Sequence, residues 1–413
     1  MKKILQLIHK KETSNEENIS KNYINKSFEK FIQHLKNPKS TIKDIISKIK
    51  YCELKSQYRP VAWLIFLNIL PYNHPENWKQ IIDDNRTDYL TLKNSYITKE
   101  INNFIEIEEE KGNLKYEEAK EKLSNKDFEI ISLIKIDINR TYPEMDFFKN
   151  KEIKIILITV LYIYSKKFPL IGYNQGMNEI CAILLYNFYQ KYKLNDSFIK
   201  GEETFLYYMI HSNNEFIECD IYHIFKNLME KDLKIFYLYN QEKYKNSFLS
   251  QKTIEEKLKL NSEDILKCND SEIKKRMYKL YFIDLRKIDK ILVKYLHGGE
   301  VDPDLFLLRW YLCLFCREFS MEKIIYIWDI ILMFEFVEFH FEVNKDKIKK
   351  THLNFIECIV IAIFKCMKKK FEKVKEKSEF LDILLHQQTD ISVHLIIEKA
   401  IKISINLYGN QFP

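Results

Sequence analysis

Two short segments bring together side chains that could do chemistry. In the first, Ile134-Lys-Ile-Asp137-Ile-Asn-Arg140-Thr-Tyr-Pro143, a carboxylate stands three residues before a guanidinium. That spacing puts both on one face of a helix, so Asp137 can orient Arg140. Pro143 pushes the chain out of helix just beyond, which leaves Arg140 at a helix end with a side chain able to reach outward. In the second, Gly172-Tyr173-Asn174-Gln175-Gly176-Met177-Asn178, two glycines bracket Tyr-Asn-Gln. The chain has only 7 glycines in 413 residues, so two within one short stretch mark a backbone that must turn tightly or approach something closely. Arginine is equally scarce: of 66 basic residues only Arg59, Arg86, Arg140, Arg276, Arg286, Arg309 and Arg317 are not lysine. Against such a lysine bias, an arginine that persists is a candidate for planar, bidentate, permanently charged work that lysine cannot imitate. Each segment also has a plain reading. Asp137–Arg140 can be a surface pair worth about a few tenths of a kcal/mol, and GYNQG can be a turn between helices.

Composition narrows the choices. With 46% hydrophobic residues the chain can bury a sizeable core. With 7 Gly and 8 Pro it lacks the turn-formers that sandwiches and barrels need, so a helical fold is expected. No pair of glycines fits G-x-G-x-x-G, and none supplies G-x-x-x-x-G-K-[ST], so neither familiar phosphate cradle is present. The formal charge of +7 is local: residues 345–377 hold eleven lysines against four acidic residues. Within it, the 365–377 lysines read as a solvated face or as peripheral contact with anionic membrane, and nucleic acid is not an expected partner. Cys313-Leu-Phe-Cys316 lies in an apolar run with no second pair and no histidine at zinc spacing, so core thiols are expected and no metal site. The apolar runs 61–67 and 180–186 fall far short of the roughly 18 residues that span a bilayer. A cytoplasmic location, peripheral on endomembranes if the lysines touch lipid, is the expectation.

The elements that must hold the two segments read as helices. The apolar spacing predicts helices near 27–35, 42–49, 59–70, 127–140 and 151–167, the last with Asn150 as N-cap, and one or two short helices over 76–96. More are predicted near 176–193, 203–213, 215–229, 251–268, 272–295, 303–317, 320–332, 352–372 and 392–405. Residues 99–127 are charge-dense and read as a solvated connection or exposed helix. FEFVEFHFE (334–342) approaches strand alternation, with an aromatic loop as the other reading.

Taken together, the motifs resemble those of TBC-domain proteins, the GTPase-activating proteins for Rab GTPases. Ile134-x-x-Asp137-x-x-Arg140 looks like the family's I-x-x-D-x-x-R motif, and Tyr173-Asn174-Gln175 like its Y-x-Q motif. Arg59-Pro-Val-Ala-Trp63 matches an R-x-x-x-W helix start, and Arg309-Trp310, Arg317-Glu318-Phe319 and Ile327-Trp328-Asp329 match later signatures. The usual Gly-Ile-Pro before Arg59 is absent, and 334–352 looks like an insert. The resemblance covers about 40–405 and implies an all-α fold of two helical subdomains. It divides the chain into a flexible segment 1–25, an N-terminal subdomain 26–215 with both motifs, a C-terminal subdomain 216–405 and a tail 406–413. It implies Arg140 and Gln175 as catalytic fingers, with Ile134, Asp137, Tyr173, Gly172 and Gly176 supporting them. Arg59, Trp63, Arg309, Trp310, Trp328 and Asp329 become structural. The implied partner is a GTP-bound Rab in vesicle trafficking, which brings Mg-GTP with it; no cofactor of the chain's own is expected, nor any GTPase activity of its own. The other reading is a Rab-binding adaptor that does not accelerate hydrolysis, and the presence of both Arg140 and Gln175 favours activation.

Overall fold

A computed structural model describes residues 59–71, 74–107, 114–189, 216–238, 247–298, 301–341, 353–374, 376–386 and 391–408. The described residues are helical or irregular, with no strand among them. The helices expected near 27–35, 42–49 and 203–213 lie outside them.

Helix α1 (Arg59–Phe66) is apolar almost all round and buried accordingly. It ends earlier than expected, at Phe66, where Asn68 takes a left-handed conformation (φ 55°). α2 (Trp78–Tyr96) follows as one long helix where one or two short ones are expected. α3 (Lys99–Glu106) corrects the reading of 99–127 as merely solvated. Thr98 caps it, and Ile101, Phe104 and Ile105 are buried. The buried Lys135 ammonium donates to the Phe104 and Ile107 carbonyls, which compensates its desolvation. The acidic run at 108–110 lies outside the described residues.

After α4 (Leu114–Glu121), α5 (Asn125–Asn139) and α6 (Lys151–Lys167) pack antiparallel. Tyr162 and Lys166 near the end of α6 bond Asp127 at the start of α5, at 2.8 and 2.7 Å. Lys154 near the start of α6 reaches Asn139 at the end of α5, at 3.0 Å. Asn150 caps α6 as its sequence implied, its side chain accepting from the Glu152 amide. α6 is buried over most of its length between α2, α5, α7 (Met177–Tyr189) and α8 (Ile217–Leu228).

Several predicted helices are broken. The expected 251–268 helix is two short ones, each with its own capping box, from Thr253 with Glu256 and from Asn261 with Asp264. The expected 272–295 helix starts as α9 (Glu272–Lys279), widens into a π turn at Leu280–Asp284, stops at Asp289 and resumes as α10 (Lys290–Gly298). The expected 303–317 helix is a 3-10 turn (Pro303–Leu305) followed by α11 (Leu307–Leu312), which ends early because Leu314 and Phe315 take φ of 45° and 64°. The buried Trp328 indole N–H bonds the Leu314 carbonyl at 3.0 Å, a tertiary tie that local sequence does not report.

α12 (Met321–Phe341) overturns both readings of FEFVEFHFE. It is helix as far as Phe341, and Ile330 to Phe334 are buried in succession, on every face and not in alternation. Phe334 stacks on Phe355 at 3.8 Å between ring centroids, and Phe336 meets Phe66 of α1 at 5.7 Å. The rest of the suspected insert, 342–352, lies outside the described residues. α13 (Phe355–Phe371) and α15 (Val393–Tyr408) pack together, and α14 (Lys377–His386), missed in the sequence, docks on α13 through Phe380 against Phe371. No helix among the described residues is long and apolar enough to cross a membrane.

Candidate functional site

Both motifs lie at helix ends and meet. Arg140 is the C-cap of α5, its amide bonded to the Asp137 and Ile138 carbonyls. The chain turns sharply after it, with Tyr142 at φ 44°. One turn back, Ile134 is fully buried and anchors the helix face. Asp137 is buried too (1% exposed), and its carboxylate accepts from the Arg140 guanidinium and from the Tyr173 hydroxyl, the latter at 2.7 Å. Burial and the Asp137 carboxylate push the Tyr173 phenol well above its ordinary range, so it stays protonated and donating. The Arg140 side chain itself is 50% exposed.

The second motif forms the turn between α6 and α7. Gly172, at φ +65°, donates to the Phe168 carbonyl at 2.8 Å. Gly176, at φ +104°, sits against α11's exit loop, where an added Cβ would lie 2.9 Å from the Cys313 sulfur. Backbone conformation and close approach therefore both demand glycine there. Asn174 pins the turn through a 2.8 Å bond to the Ile171 carbonyl. Gln175 is left exposed between half-buried Asn174 and buried Gly176. Cys313 and Cys316 are buried free thiols, as expected of core residues, and burial pushes Cys313 up to about 12. Among the described residues no group of side chains is arranged to hold a metal.

The remaining motif residues meet elsewhere. Arg59 bonds both Asp329 carboxylate oxygens at 2.9 and 3.0 Å, and Trp63 donates to the same carboxylate at 2.7 Å, joining α1 to α12. The Trp63 and Trp328 rings lie 5.7 Å apart. Arg309 grips Glu318 at 2.7 and 2.9 Å, and Trp310 is fully buried beside Phe315. Arg86, Arg276 and Arg286, which the motifs left unexplained, bond Asp220, Glu357 and the Leu258 carbonyl. Of the seven arginines, Arg140 and Arg317 have exposed residue positions and the other five are buried or partly buried. Arg317 is spent on a carboxylate of another helix, Glu179 of α7, whereas Arg140 bonds a carboxylate of its own helix.

Sequence reasoning passed over three polar residues beneath the two turns. Glu179 of α7 is buried and accepts from Arg317 at 2.9 Å, and burial raises its carboxyl above the usual range. Thr141 and Asn178 are buried between the motifs. The available signal was Asn178-Glu179 at the start of the otherwise apolar run of α7, where buried polar groups need partners.

The arrangement is an all-α domain in which two adjoining turns present an arginine and a glutamine to solvent. The Rab-GTPase-TBC domain family model matches residues 56–278 and 258–371. TBC1 domain family member 5 of Homo sapiens is 26% identical over 294 residues, covering 67% of this chain and 34% of the relative. GTPase-activating protein GYP1 of Saccharomyces cerevisiae is 23% identical over 327 residues, covering 78% of this chain and 42% of the relative. The solved Ypt/Rab-GAP domain of Gyp1p superposes with a TM-score of 0.60 at 19% identity, covering 93% of this chain and 99% of that one. The chain belongs to the Rab-GTPase-TBC domain family and has its all-α fold. It spans about a third of the length of the TBC1 domain family member 5 relatives it matches.

Proposed function

We propose that this chain is a GTPase-activating protein for a GTP-bound Rab-family GTPase, acting through Arg140 and Gln175 supplied in trans. The observation that carries the reading is the contrast within one bonded cluster. Asp137 is buried and Tyr173 mostly so, while Arg140 and Gln175 are exposed, one on each of the two turns that the Tyr173–Asp137 bond joins. The relative named GTPase-activating protein GYP1 supports the coarser part of that reading, activation of a GTPase.

GTP hydrolysis passes through a loose transition state with charge spread over the transferring phosphoryl oxygens. The partner carries the Mg-GTP. Arg140 donates in a fork to the β- and γ-phosphate oxygens, where a lysine point charge fits poorly. Gln175 aligns the attacking water. An arginine finger is worth about 10³–10⁵ in rate, which is roughly 4–7 kcal/mol of barrier. Asp137, held by Tyr173, keeps the guanidinium at the mouth of the site until phosphate oxygens compete for it. The setting we infer is vesicle trafficking, in the cytoplasm at the surface of endomembranes.

The test is single-turnover GTP hydrolysis on a panel of GTP-loaded Rabs. Wild type accelerates at least one of them, and Arg140→Ala and Gln175→Ala each abolish most of the acceleration. A chain that binds a Rab without accelerating it is the silent adaptor instead.

A further inference from the structure

The two turns are joined by a hydrogen-bonded chain beneath the surface. The Gly176 amide, directly after Gln175, donates to Asn178 Oδ1 at 3.0 Å. Asn178 Nδ2 donates to Thr141 Oγ1 at 2.8 Å, and Thr141, directly after Arg140, donates to the Asp137 carbonyl at 2.7 Å. Asn178 is wholly buried and Thr141 nearly so. The proton directions are fixed: a backbone N–H can only donate, so the carboxamide oxygen must face Gly176 and its NH₂ must face Thr141. The Tyr173 hydroxyl lies 3.4 Å from the same Asn178 oxygen, but its one proton goes to Asp137 at 2.7 Å, so that contact adds little.

We propose that Asn178 is a positioning residue that locks the Arg140 turn to the Gln175 turn through Thr141, setting the separation at which the two side chains are presented. The inference rests on the activator reading above. Tyr173–Asp137 is another tie between the turns, but it holds the Arg140 side chain, whereas Asn178 holds the Gly176 backbone amide on one side and, through the Thr141 hydroxyl, the Asp137 backbone carbonyl on the other. A buried carboxamide with both ends bonded loses more on disruption than a solvated one, because the freed groups find no water. Asn178 touches neither nucleotide nor water in this reading; it acts through the other two residues.

The test combines activity with a readout of the coupling itself. Asn178→Ala removes the link at its centre, and Thr141→Val removes it with almost no change of shape, so the second variant serves if the first fails to fold. Thr141→Ser restores the hydroxyl. Against GTP-loaded Rab, Thr141→Val is expected to lower kcat by about 10- to 100-fold with KM within about twofold, since misplacement of positioned groups by ~1 Å costs about 10²-fold. Thr141→Ser retains most of the activity. In a Gln175→Ala background, where the glutamine has nothing left to misplace, the loss from Thr141→Val shrinks.

Hydrogen exchange is read on the same proteins without any GTPase. Thr141→Val, on one turn, is expected to speed exchange of the Gly176 amide on the other. Wild-type kcat together with unchanged Gly176 exchange in Thr141→Val would overturn the proposal. So would equal losses of kcat in Thr141→Val and Thr141→Ser. If the wild type accelerates no Rab, the activator reading falls, and the exchange measurement alone then decides whether the turns are coupled.

Discussion

Two arginine–carboxylate pairs in this molecule use the same chemistry to opposite ends. Arg59 meets Asp329 and Arg140 meets Asp137, and both carboxylates are 1% exposed. The guanidiniums differ. Arg59 is 15% exposed, grips both carboxylate oxygens and shares them with the Trp63 indole, so it ties α1 to α12. Arg140 is 50% exposed and is a helix cap, three residues from its own partner. Moving the first guanidinium would break both of its bonds to a buried carboxylate, untie α1 from α12 and shift a charge that is itself largely buried. The second can exchange its carboxylate for another anion at the surface while Tyr173 continues to donate to Asp137. Exposure of the cation, together with a partner on its own helix, separates the pair proposed to work on a nucleotide from the pair that braces the fold.

The largest effect expected is in rate. Arg140→Ala should cost about 10³-fold or more of the acceleration, while stability to urea changes by no more than about 1 kcal/mol, as for half-exposed pairs. A large loss of stability alongside would make Arg140 a brace like Arg59 and erase the distinction. Next comes the brace itself. Asp329→Ala should cost about 3 kcal/mol or more, because it leaves a mostly buried guanidinium and a buried indole N–H without their acceptor. Acceleration per folded molecule should be unchanged, and a selective loss of kcat would mean that this pair also serves the site.

A smaller effect tests how the site is seated. Gly176→Ala should destabilise by about 1–3 kcal/mol through overpacking against Cys313. Cys313→Ala in the same chain should return part of that in a denaturation curve, but not all, since φ +104° remains unsuited to alanine. Full recovery would show that space, and not backbone conformation, selects the glycine.

The smallest effect concerns charges that belong to neither pair. Lys368 is committed to Asp289 at 2.9 Å, but Lys369 and Lys373 are exposed along the expected membrane-facing stretch. If that face meets anionic lipid, each Lys→Gln change should weaken co-sedimentation with phosphatidylserine vesicles by about 1 kcal/mol. Binding that ignores both changes leaves the stretch a solvated face.

Local signals were legible where local chemistry decides. The D-x-x-R spacing, the approaching Pro143 and the paired glycines placed both turns, and Asn150 placed the start of α6. The scarcity of arginine pointed to residues with non-interchangeable roles, though six of the seven proved to be ties between parts of the fold. What stayed hidden was decided at a distance. The break after α11 depends on the Trp328 indole reaching Leu314, and the length of α12 depends on Phe334 and Phe336 meeting rings from α13 and α1. The burial of α3 depends on Lys135, a residue that composition alone places in water. Asn178 was part of a quoted motif, yet its link to Thr141 spans 37 residues and appears only in the folded chain.

The most direct test of the account is a pair of conservative substitutions under one assay. Arg140→Lys and Arg59→Lys each keep the charge and lose the fork. In single-turnover hydrolysis by a responsive GTP-loaded Rab, Arg140→Lys should lose most of the acceleration with its thermal midpoint nearly unchanged. Arg59→Lys should keep the acceleration and lower the midpoint. If Arg140→Lys accelerates hydrolysis as the wild type does, the guanidinium at the end of α5 is not the group that works on the nucleotide.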